Sequence, residues 1–157
     1  MTAAGLALWI SALLFALFYF GGQEKRRVEE TEGLVLLLRH VRASVRAYAL
    51  PKPKIYESFH HKALEKCGFL SLLKQEGLGV ALEKGGLSLK EESLRPLSVF
   101  AMGEGGRLTE EELTACEIAL DGMEQVLMEA KKKLPERLRL LRTLVLSGGM
   151  MVVILLL

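Results

Sequence analysis

Charged residues are absent from both ends of this 157-residue chain. Every Asp, Glu, Lys and Arg lies between Glu24 and Arg142, although these residues make up 25% of the sequence. With half of its residues apolar, the chain is neither disordered nor fibrous, and its length suits one domain. The formal net charge of +2 gives no argument for a nucleic-acid partner, which would call for a basic face. We therefore expect a globular middle between two apolar ends.

Signatures of catalysis are also missing. The glycine-rich turn at residues 103–107 lacks the Gly-Lys-Ser/Thr ending of a phosphate-binding loop, and no serine sits in a nucleophile elbow. Cys67 and Cys116 have no metal-ligand spacing, so we expect reduced, buried thiols. His60 and His61 are adjacent and would point to different sides of a helix, which makes them a poor metal pair. The sequence predicts no catalytic residue, no cofactor and no metal site.

The N-terminal residues predict a membrane helix. Residues 3–20 form an unbroken apolar run, and with Gly21 and Gly22 they would span about 30 Å as a helix. A cleaved signal peptide is the alternative, but the run lacks a preceding positive charge and small cleavage-site residues. We expect an uncleaved transmembrane anchor at residues 1–22, in which Ala12 and Ala16 could form a close helix contact.

The C-terminal residues predict a second membrane segment at residues 138–157. From Leu144 onward the uncharged tail spans only about 21 Å as a helix, so it must include residues 138–143 while Arg139 and Arg142 reach to the interface. A buried core helix is the alternative. Basic residues flank the middle region on both sides, at residues 25–27 and 131–142. Positive charge beside a membrane helix is retained in the cytoplasm, which predicts a cytoplasmic middle and two external termini.

The last helix carries the clearest periodicity. Its apolar residues alternate spacings of three and four, as in a helix packed lengthwise on other helices. After Pro135 the pattern slips by one residue, which predicts a kinked helix that continues into the membrane segment. The predicted buried positions are Leu113, Cys116, Leu120, Met123, Leu127, Ala130, Leu134, Leu138, Leu141, Val145 and Gly148.

Shorter helices are predicted upstream of it. A helix should begin at the acidic residues 29–32 and end near Leu50, before Pro51 and Pro53. Its core positions are Leu34, Leu37, Leu38, Val41, Val45 and Tyr48. Residues 55–67 predict another helix, and residues 69–84 predict two short ones.

Helix caps complete the predicted elements. Ser88 and Glu91 have the spacing of a capping box, which predicts that Ser88 caps the helix that follows it. Thr109 and Glu112 have the same spacing at the start of the last helix. No alternating strand pattern occurs. The predicted fold is all-α: an antiparallel cytoplasmic bundle at residues 23–137, flanked by an N-terminal and a C-terminal transmembrane helix.

Arg39, Arg42 and Arg46 form a basic stripe on one face of the predicted helix that ends near Leu50. A solvated helix face is the default interpretation of such a stripe. Docking of an acidic partner is the alternative, and these three residues are the candidate partner interface.

The end of the chain resembles a known family. Residues 134–157, LPERLRLLRTLVLSGGMMVVILLL, are similar to the C-terminus of the stage III sporulation protein AB family. Residues 113–116, LTAC, and residues 97–100, LSVF, are similar to other parts of the family, and residues 32–42, leading to Pro51 and Ile55, resemble its first cytoplasmic helix and turn.

The resemblance implies a non-enzymatic membrane platform subunit of the secretion-like channel apparatus between mother cell and forespore, required for sporulation. Its cytoplasmic domain would be similar to that of the type II secretion platform protein. The implied partners are the apparatus ATPase (stage III sporulation protein AA), other channel membrane proteins, the lipid bilayer and further copies of the chain. The implied location is the mother-cell membrane facing the forespore. A platform-like subunit of a type II secretion or pilus machine outside sporulation is the alternative.

Overall fold

A computed structural model describes residues 3–48, 50–103 and 109–156, without side chains for residues 3–10, 109 and 151–156. Seven helices and no strands occupy these described ranges, which confirms the all-α prediction. The helices are α1 (Ala3–Tyr48), α2 (Lys52–Ser58), α3 (Lys62–Lys66), α4 (Phe69–Glu76), α5 (Leu78–Lys84), α6 (Glu91–Met102) and α7 (Thr109–Leu156).

The chain forms two compact units. The terminal unit comprises Met1–Lys25 and Lys131–Leu157, and the central unit comprises Arg26–Ala130. Helices α1 and α7 each contribute residues to both units, whereas α2 to α6 belong to the central unit alone.

Helices α1 and α7 lie side by side and antiparallel in the terminal unit. An Arg137 nitrogen lies 2.9 Å from a Glu24 carboxylate oxygen. A Cβ atom added to Gly21 would lie 3.5 Å from Leu138, and one added to Gly149 would lie 2.8 Å from Leu13. Later residues of α7 therefore meet earlier residues of α1, as in a helical hairpin. Helices α1 and α7 pair with each other in this unit, which the sequence left open.

The prediction of two transmembrane helices gains no support from the described structure. None of its helices has a described stretch that is both long and apolar enough to cross a membrane. Residues 1–10 of the first predicted anchor and residues 151–157 of the second lie outside the described side chains. Ala12, predicted to make a close helix contact, is exposed, whereas Ala16 is half-buried.

Helix α1 does not begin at the acidic residues 29–32, so that prediction is wrong. It already runs from Ala3 through Gly21 and Gly22, and the acidic residues lie inside it. Arg26 and Glu30 stand four residues apart and form an ion pair along the helix, which favours continuity. The predicted core positions of this helix are buried, with the exception of Tyr48, which is 76% exposed at the last helical residue.

Helix α7 has the predicted packing face. Its positions from Leu113 to Val145 that were predicted to pack are buried or half-buried, at spacings of three and four. The pattern ends differently, because Gly149 rather than Gly148 contacts α1. The helix continues through Pro135, whose side chain is exposed. The kink expected at this proline stays a prediction.

The region between α1 and α6 contains more and shorter helices than predicted. The expected helix at residues 55–67 is divided into α2 and α3 by the extended residues Phe59 and His61. Helix α2 begins at Lys52, because Pro53 in its first turn needs no hydrogen-bonded amide there. Gly68 and Gly77 have positive φ angles of 78° and 86°, which reverse the chain before α4 and α5.

The core of the central unit is shared by all seven helices. Its fully buried large side chains include Leu34 and Leu37 from α1, Phe69 from α4, Phe100 from α6 and Met123 from α7. Of the glycine-rich turn after α6, residues 104–107 lie outside the described residues. The side chain of Thr109, with its predicted cap, lies outside them as well.

Candidate partner interface

The basic stripe on α1 is largely paired with acidic residues of α7. Arg39 Nη2 lies 2.7 Å from Glu124 Oε1, to which its Nε also donates a hydrogen bond of 3.2 Å. Arg42 Nη2 lies 2.7 Å from Glu117 Oε1. Arg46 is exposed and forms no ion pair with the residues that the structure describes.

These ion pairs are exposed or half-exposed, and pairs of this kind contribute only about 0–1 kcal/mol each to stability. They therefore align α1 with α7 without contributing much to the fold. A strongly acidic partner could displace them at small cost. Docking of a partner at Arg39, Arg42 and Arg46 stays a prediction. Of the three, Arg46 is the one without an acidic partner among the described residues.

A less exposed ion pair lies beside the stripe. Lys52 Nζ at the start of α2 is 2.8 Å from Glu112 Oε1 on α7, and both side chains are mostly buried. The same ammonium group lies 5.1 Å from the centre of the Phe100 ring, within the range of a cation–π contact. That Glu112 oxygen accepts no hydrogen bond within the described structure, so the contact is ionic. Lys52 thereby joins α2, α6 and α7.

A buried carboxylate ties α1 to the segment before α6. Glu30 is 0% exposed, and its Oε2 accepts a hydrogen bond of 2.6 Å from the Ser88 backbone amide. Its Oε1 accepts one of 2.6 Å from Arg26 Nε and one of 3.3 Å from the Ser88 hydroxyl. Ser88 was predicted to cap α6, but the helix begins after Lys90 and has no side-chain cap. That prediction is wrong because Ser88 lies two residues too early and bonds Glu30 instead.

The arginines around Glu30 bind the same segment. Arg26 Nη2 donates a hydrogen bond of 3.1 Å to the Gly86 carbonyl, and Arg27 Nε donates one of 3.0 Å to the Ser88 carbonyl. We call Glu30, Arg26, Arg27 and the segment 86–88 the Glu30 clamp. Only the Arg26–Glu30 spacing was visible in the sequence. The groups that these side chains bind lie about sixty residues away and are mostly backbone amides and carbonyls. Such groups leave no signal in the sequence.

An apolar groove between α5 and α6 is a further feature that the sequence did not reveal. It has a volume of about 620 Å³, with Leu82, Leu87 and Leu94 on its walls and the carboxylates of Glu83 and Glu91 at its lining. Met102, which also lines it, is 86% exposed. The lining residues come from two helices and the loop between them, so no single periodic pattern marks the groove.

The described side chains offer little reactive chemistry. No group of three His, Cys, Asp or Glu residues among them is placed to hold a metal ion. Both cysteines are free. Burial raises the pKa of the Cys67 thiol and raises that of Cys116 from 9.0 to about 11. Cys116 Sγ donates to the Leu38 carbonyl at 3.4 Å. Both thiols are therefore protonated near neutral pH and are poor nucleophiles.

The fold defines an all-helical protein in which two long helices pair antiparallel within each unit. The model of one family, stage III sporulation protein AB, matches residues 2–157. The chain therefore belongs to the stage III sporulation protein AB family, which confirms the resemblance and assigns it a stage III sporulation role. No curated protein and no solved structure matches the chain.

Proposed function

We propose that the chain is a non-enzymatic membrane platform subunit of the secretion-like channel apparatus between mother cell and forespore. In this role it couples the cytoplasmic apparatus ATPase to the membrane complex. The observation that carries the proposal is the family match, which extends over residues 2–157 and so includes both apolar ends and the central unit. A platform-like subunit of a secretion or pilus machine outside sporulation is less well supported, because the matched family is a sporulation family.

Membrane attachment through the terminal unit is supported by its surface. Phe15 and Phe18 on α1 are 72% and 81% exposed, and Leu144 and Met150 on α7 are 68% and 70% exposed. A water-soluble helix pair rarely exposes so many large apolar side chains, whereas a lipid-facing one does. Charged residues are absent from residues 1–23 and 143–157, as expected for segments in contact with lipid.

Docking of the ATPase is proposed for the arginine stripe on the central unit. The guanidinium groups of Arg39 and Arg42 are held on the α1 surface by Glu124 and Glu117, and Arg46 extends the row by one further turn. Arginine suits an acidic docking partner because its planar group binds carboxylates through two hydrogen bonds. The non-enzymatic role is proposed because the matched family is a sporulation family.

Genetic deletion tests the role in sporulation. Removing the gene from its spore-forming host should stall forespore development after engulfment and abolish heat-resistant spores, and the wild-type gene supplied in trans should restore them. A chain that lacks residues 1–22 is the informative variant, because it keeps the central unit but loses one apolar end. Normal spore yield in the deletion strain would refute the proposed role. Synthesis outside sporulating cells would favour the alternative machine.

A charge-swap design tests the docking surface. Reversing Arg39 alone would also place a like charge beside Glu124. A loss of ATPase binding could then come from a changed fold as well as from the lost docking charge. Arg39→Glu with Glu124→Arg, and Arg42→Glu with Glu117→Arg, keep each intramolecular pair while they reverse the stripe. Arg46→Glu needs no compensation among the described residues. Combined, these changes should abolish co-purification with the ATPase while circular dichroism stays unchanged.

The matched control reverses basic residues on another surface of the central unit. Lys74 on α4 and Lys90 before α6 are exposed, and Lys74→Glu with Lys90→Glu should leave co-purification unchanged. If the swapped stripe still binds the ATPase as well as the wild type does, the docking surface lies elsewhere. The apolar groove between α5 and α6 would then be the next surface to mutate.

A further inference from the structure

A groove on the terminal unit is lined by two cationic side chains and several apolar ones. It lies between α1 and α7 and has a volume of about 430 Å³, within the range of pockets that hold small ligands, about 300–1,000 Å³. Lys25 and Arg142 line it together with apolar residues, which include Leu14 and Phe18 of α1 and Leu141 of α7.

The spacing of these residues matches an amphipathic ligand. From Leu14 to Lys25, α1 advances eleven residues, which is about 16 Å of helix. A groove of this length with cationic and apolar lining suits a ligand that combines an anionic group with a long apolar body. A compact anion would contact only the two cations and leave the apolar walls uncovered. An apolar helix of a partner would leave both cations without a counter-charge.

The two cations are available for such a ligand. Neither Lys25 nor Arg142 forms an ion pair with a residue that the structure describes. Arg137, in the same unit, is neutralised by Glu24 at 2.9 Å. An arginine and a lysine at one site suit a phosphate diester, since arginine binds its oxygens in pairs and lysine supplies a compact charge.

We propose that this groove binds one anionic phospholipid. Its phosphate lies between Lys25 and Arg142, and one acyl chain lies along Leu14, Phe18 and Leu141. The inference rests on the membrane attachment proposed above. It adds a specific lipid site to that attachment, at the level where basic residues beside membrane helices meet lipid headgroups.

Two pairs of variants separate the site from general charge and hydrophobicity. Lys25→Gln with Arg142→Gln removes the charges that line the groove, whereas Lys132→Gln with Arg139→Gln removes two exposed charges of the same unit that do not line it. Gly22→Leu fills the groove. Gly148→Leu is its control, because a Cβ atom at either glycine has no neighbour within 4 Å and only Gly22 lines the groove.

The experiment titrates the purified full-length chain in detergent with phosphatidylglycerol and measures bound lipid by native mass spectrometry. Loss of one surface cation weakens binding of an anionic lipid about 5-fold, so we expect about a 30-fold loss for the Lys25 and Arg142 double variant. Gly22→Leu should lower binding by a similar amount. Both controls should stay within about twofold of the wild type.

Further ligands identify what the groove recognises. Phosphatidylcholine and glycerol 3-phosphate serve as probes of the apolar body alone and the headgroup alone, and both should bind at least tenfold more weakly than phosphatidylglycerol. Equal losses in the groove variants and their controls would overturn the site, as would equal binding of phosphatidylcholine. Binding of glycerol 3-phosphate as tight as that of the lipid would show an anion site without an acyl subsite and would also overturn it.

A separate measurement distinguishes failure of the lipid-site proposal from failure of the proposed membrane attachment. Wild-type chain in host membranes is washed with alkaline carbonate, which removes peripheral proteins. Release into the wash would refute the integral attachment. Retention in the membrane together with no preference for phosphatidylglycerol would refute the lipid site alone.

Discussion

The Glu30 carboxylate accepts a hydrogen bond of 2.6 Å from the backbone amide of Ser88, fifty-eight residues later in the chain. Glu30 is fully buried, and the Arg26 guanidinium on the preceding turn of α1 compensates its charge. A buried carboxylate is tolerated only when it is paired and hydrogen-bonded, so this contact determines where the segment before α6 lies.

Glu30→Gln is expected to destabilise the central unit by about 1–3 kcal/mol. The glutamine amide carries no charge to pair with Arg26, and it cannot accept all the hydrogen bonds that Arg26 and Ser88 donate to the carboxylate. Urea denaturation of the full-length chain measures the change. Glu29→Gln is the matched control, since Glu29 is exposed and its loss should change stability by less than about 0.5 kcal/mol. Equal effects of the two substitutions would contradict the clamp.

Gly122→Ala is expected to destabilise the protein by about 1–2 kcal/mol, although alanine favours helices. The added Cβ would lie 2.8 Å from Pro96 Cβ and 2.9 Å from its Cγ, and the proline ring cannot rotate away. Gly79→Ala in α5 is the control, because no atom lies within 4 Å of its Cβ position. That substitution should stabilise by about 0.5–1 kcal/mol in the same denaturation assay. Stabilisation by both would show that α6 and α7 separate easily.

Cys116 is expected to make stability fall between pH 9 and pH 11. Its pKa rises from 9.0 in the unfolded chain to about 11 in the fold, because burial opposes the thiolate. The stabilisation is complete below the unfolded pKa and is lost as the pH rises through the folded one. From pH 8 to pH 10 the parent should therefore lose about 1 kcal/mol more than the Cys116→Ala variant.

The measurement is urea denaturation at both pH values in a Cys67→Ala background, so that a single thiol titrates. Because Lys and Tyr groups titrate in the same range in both proteins, the difference between them isolates Cys116. An identical pH dependence of the two proteins would mean that the thiol is not buried in solution.

Leu13→Cys with Gly149→Cys should form an intramolecular disulfide on mild oxidation. A Cβ atom at Gly149 would lie 2.8 Å from Leu13 Cδ1, so the two positions face each other across the helix pair and cysteines there are expected to reach each other. The background lacks Cys67 and Cys116, and the product is detected as a mobility change that a reductant reverses. Phe15→Cys with Gly148→Cys is the control, since nothing lies within 4 Å of the Gly148 Cβ position. Similar yields for both pairs would contradict the helical pairing in the terminal unit.

The buried face of each long helix was predictable from the sequence. On α7, for example, Cys116, Met123 and Leu127 recur at the helical period and pack as expected, because a helix turns about 100° per residue regardless of its partner. The basic stripe was also visible, since Arg39, Arg42 and Arg46 share one face by spacing alone. Its pairing with Glu124 and Glu117 was not, because surface charges on α7 offered several equally spaced acidic candidates.

Helix ends were the least predictable part. Proline and glycine suggested the breaks near Pro51 and Gly68, and the structure has them. The acidic residues at the start of the predicted second helix were misleading, because the same residues that favour a helix N-terminus also form ion pairs inside a helix. Whether a helix begins at these residues or continues through them was decided by the tertiary contacts that bury Glu30.

The sequence by itself determined the helical class, the buried faces of α1 and α7, the segregation of charge from both ends, and the sporulation family. These properties follow from the order of residues along one helix or from their similarity to a family. Only the tertiary structure decided that Glu30 binds Ser88, that Arg39 binds Glu124, and that Lys25 and Arg142 line one groove. Each of these joins residues 58 to 117 positions apart, whose meeting depends on how the helices pack rather than on any local pattern.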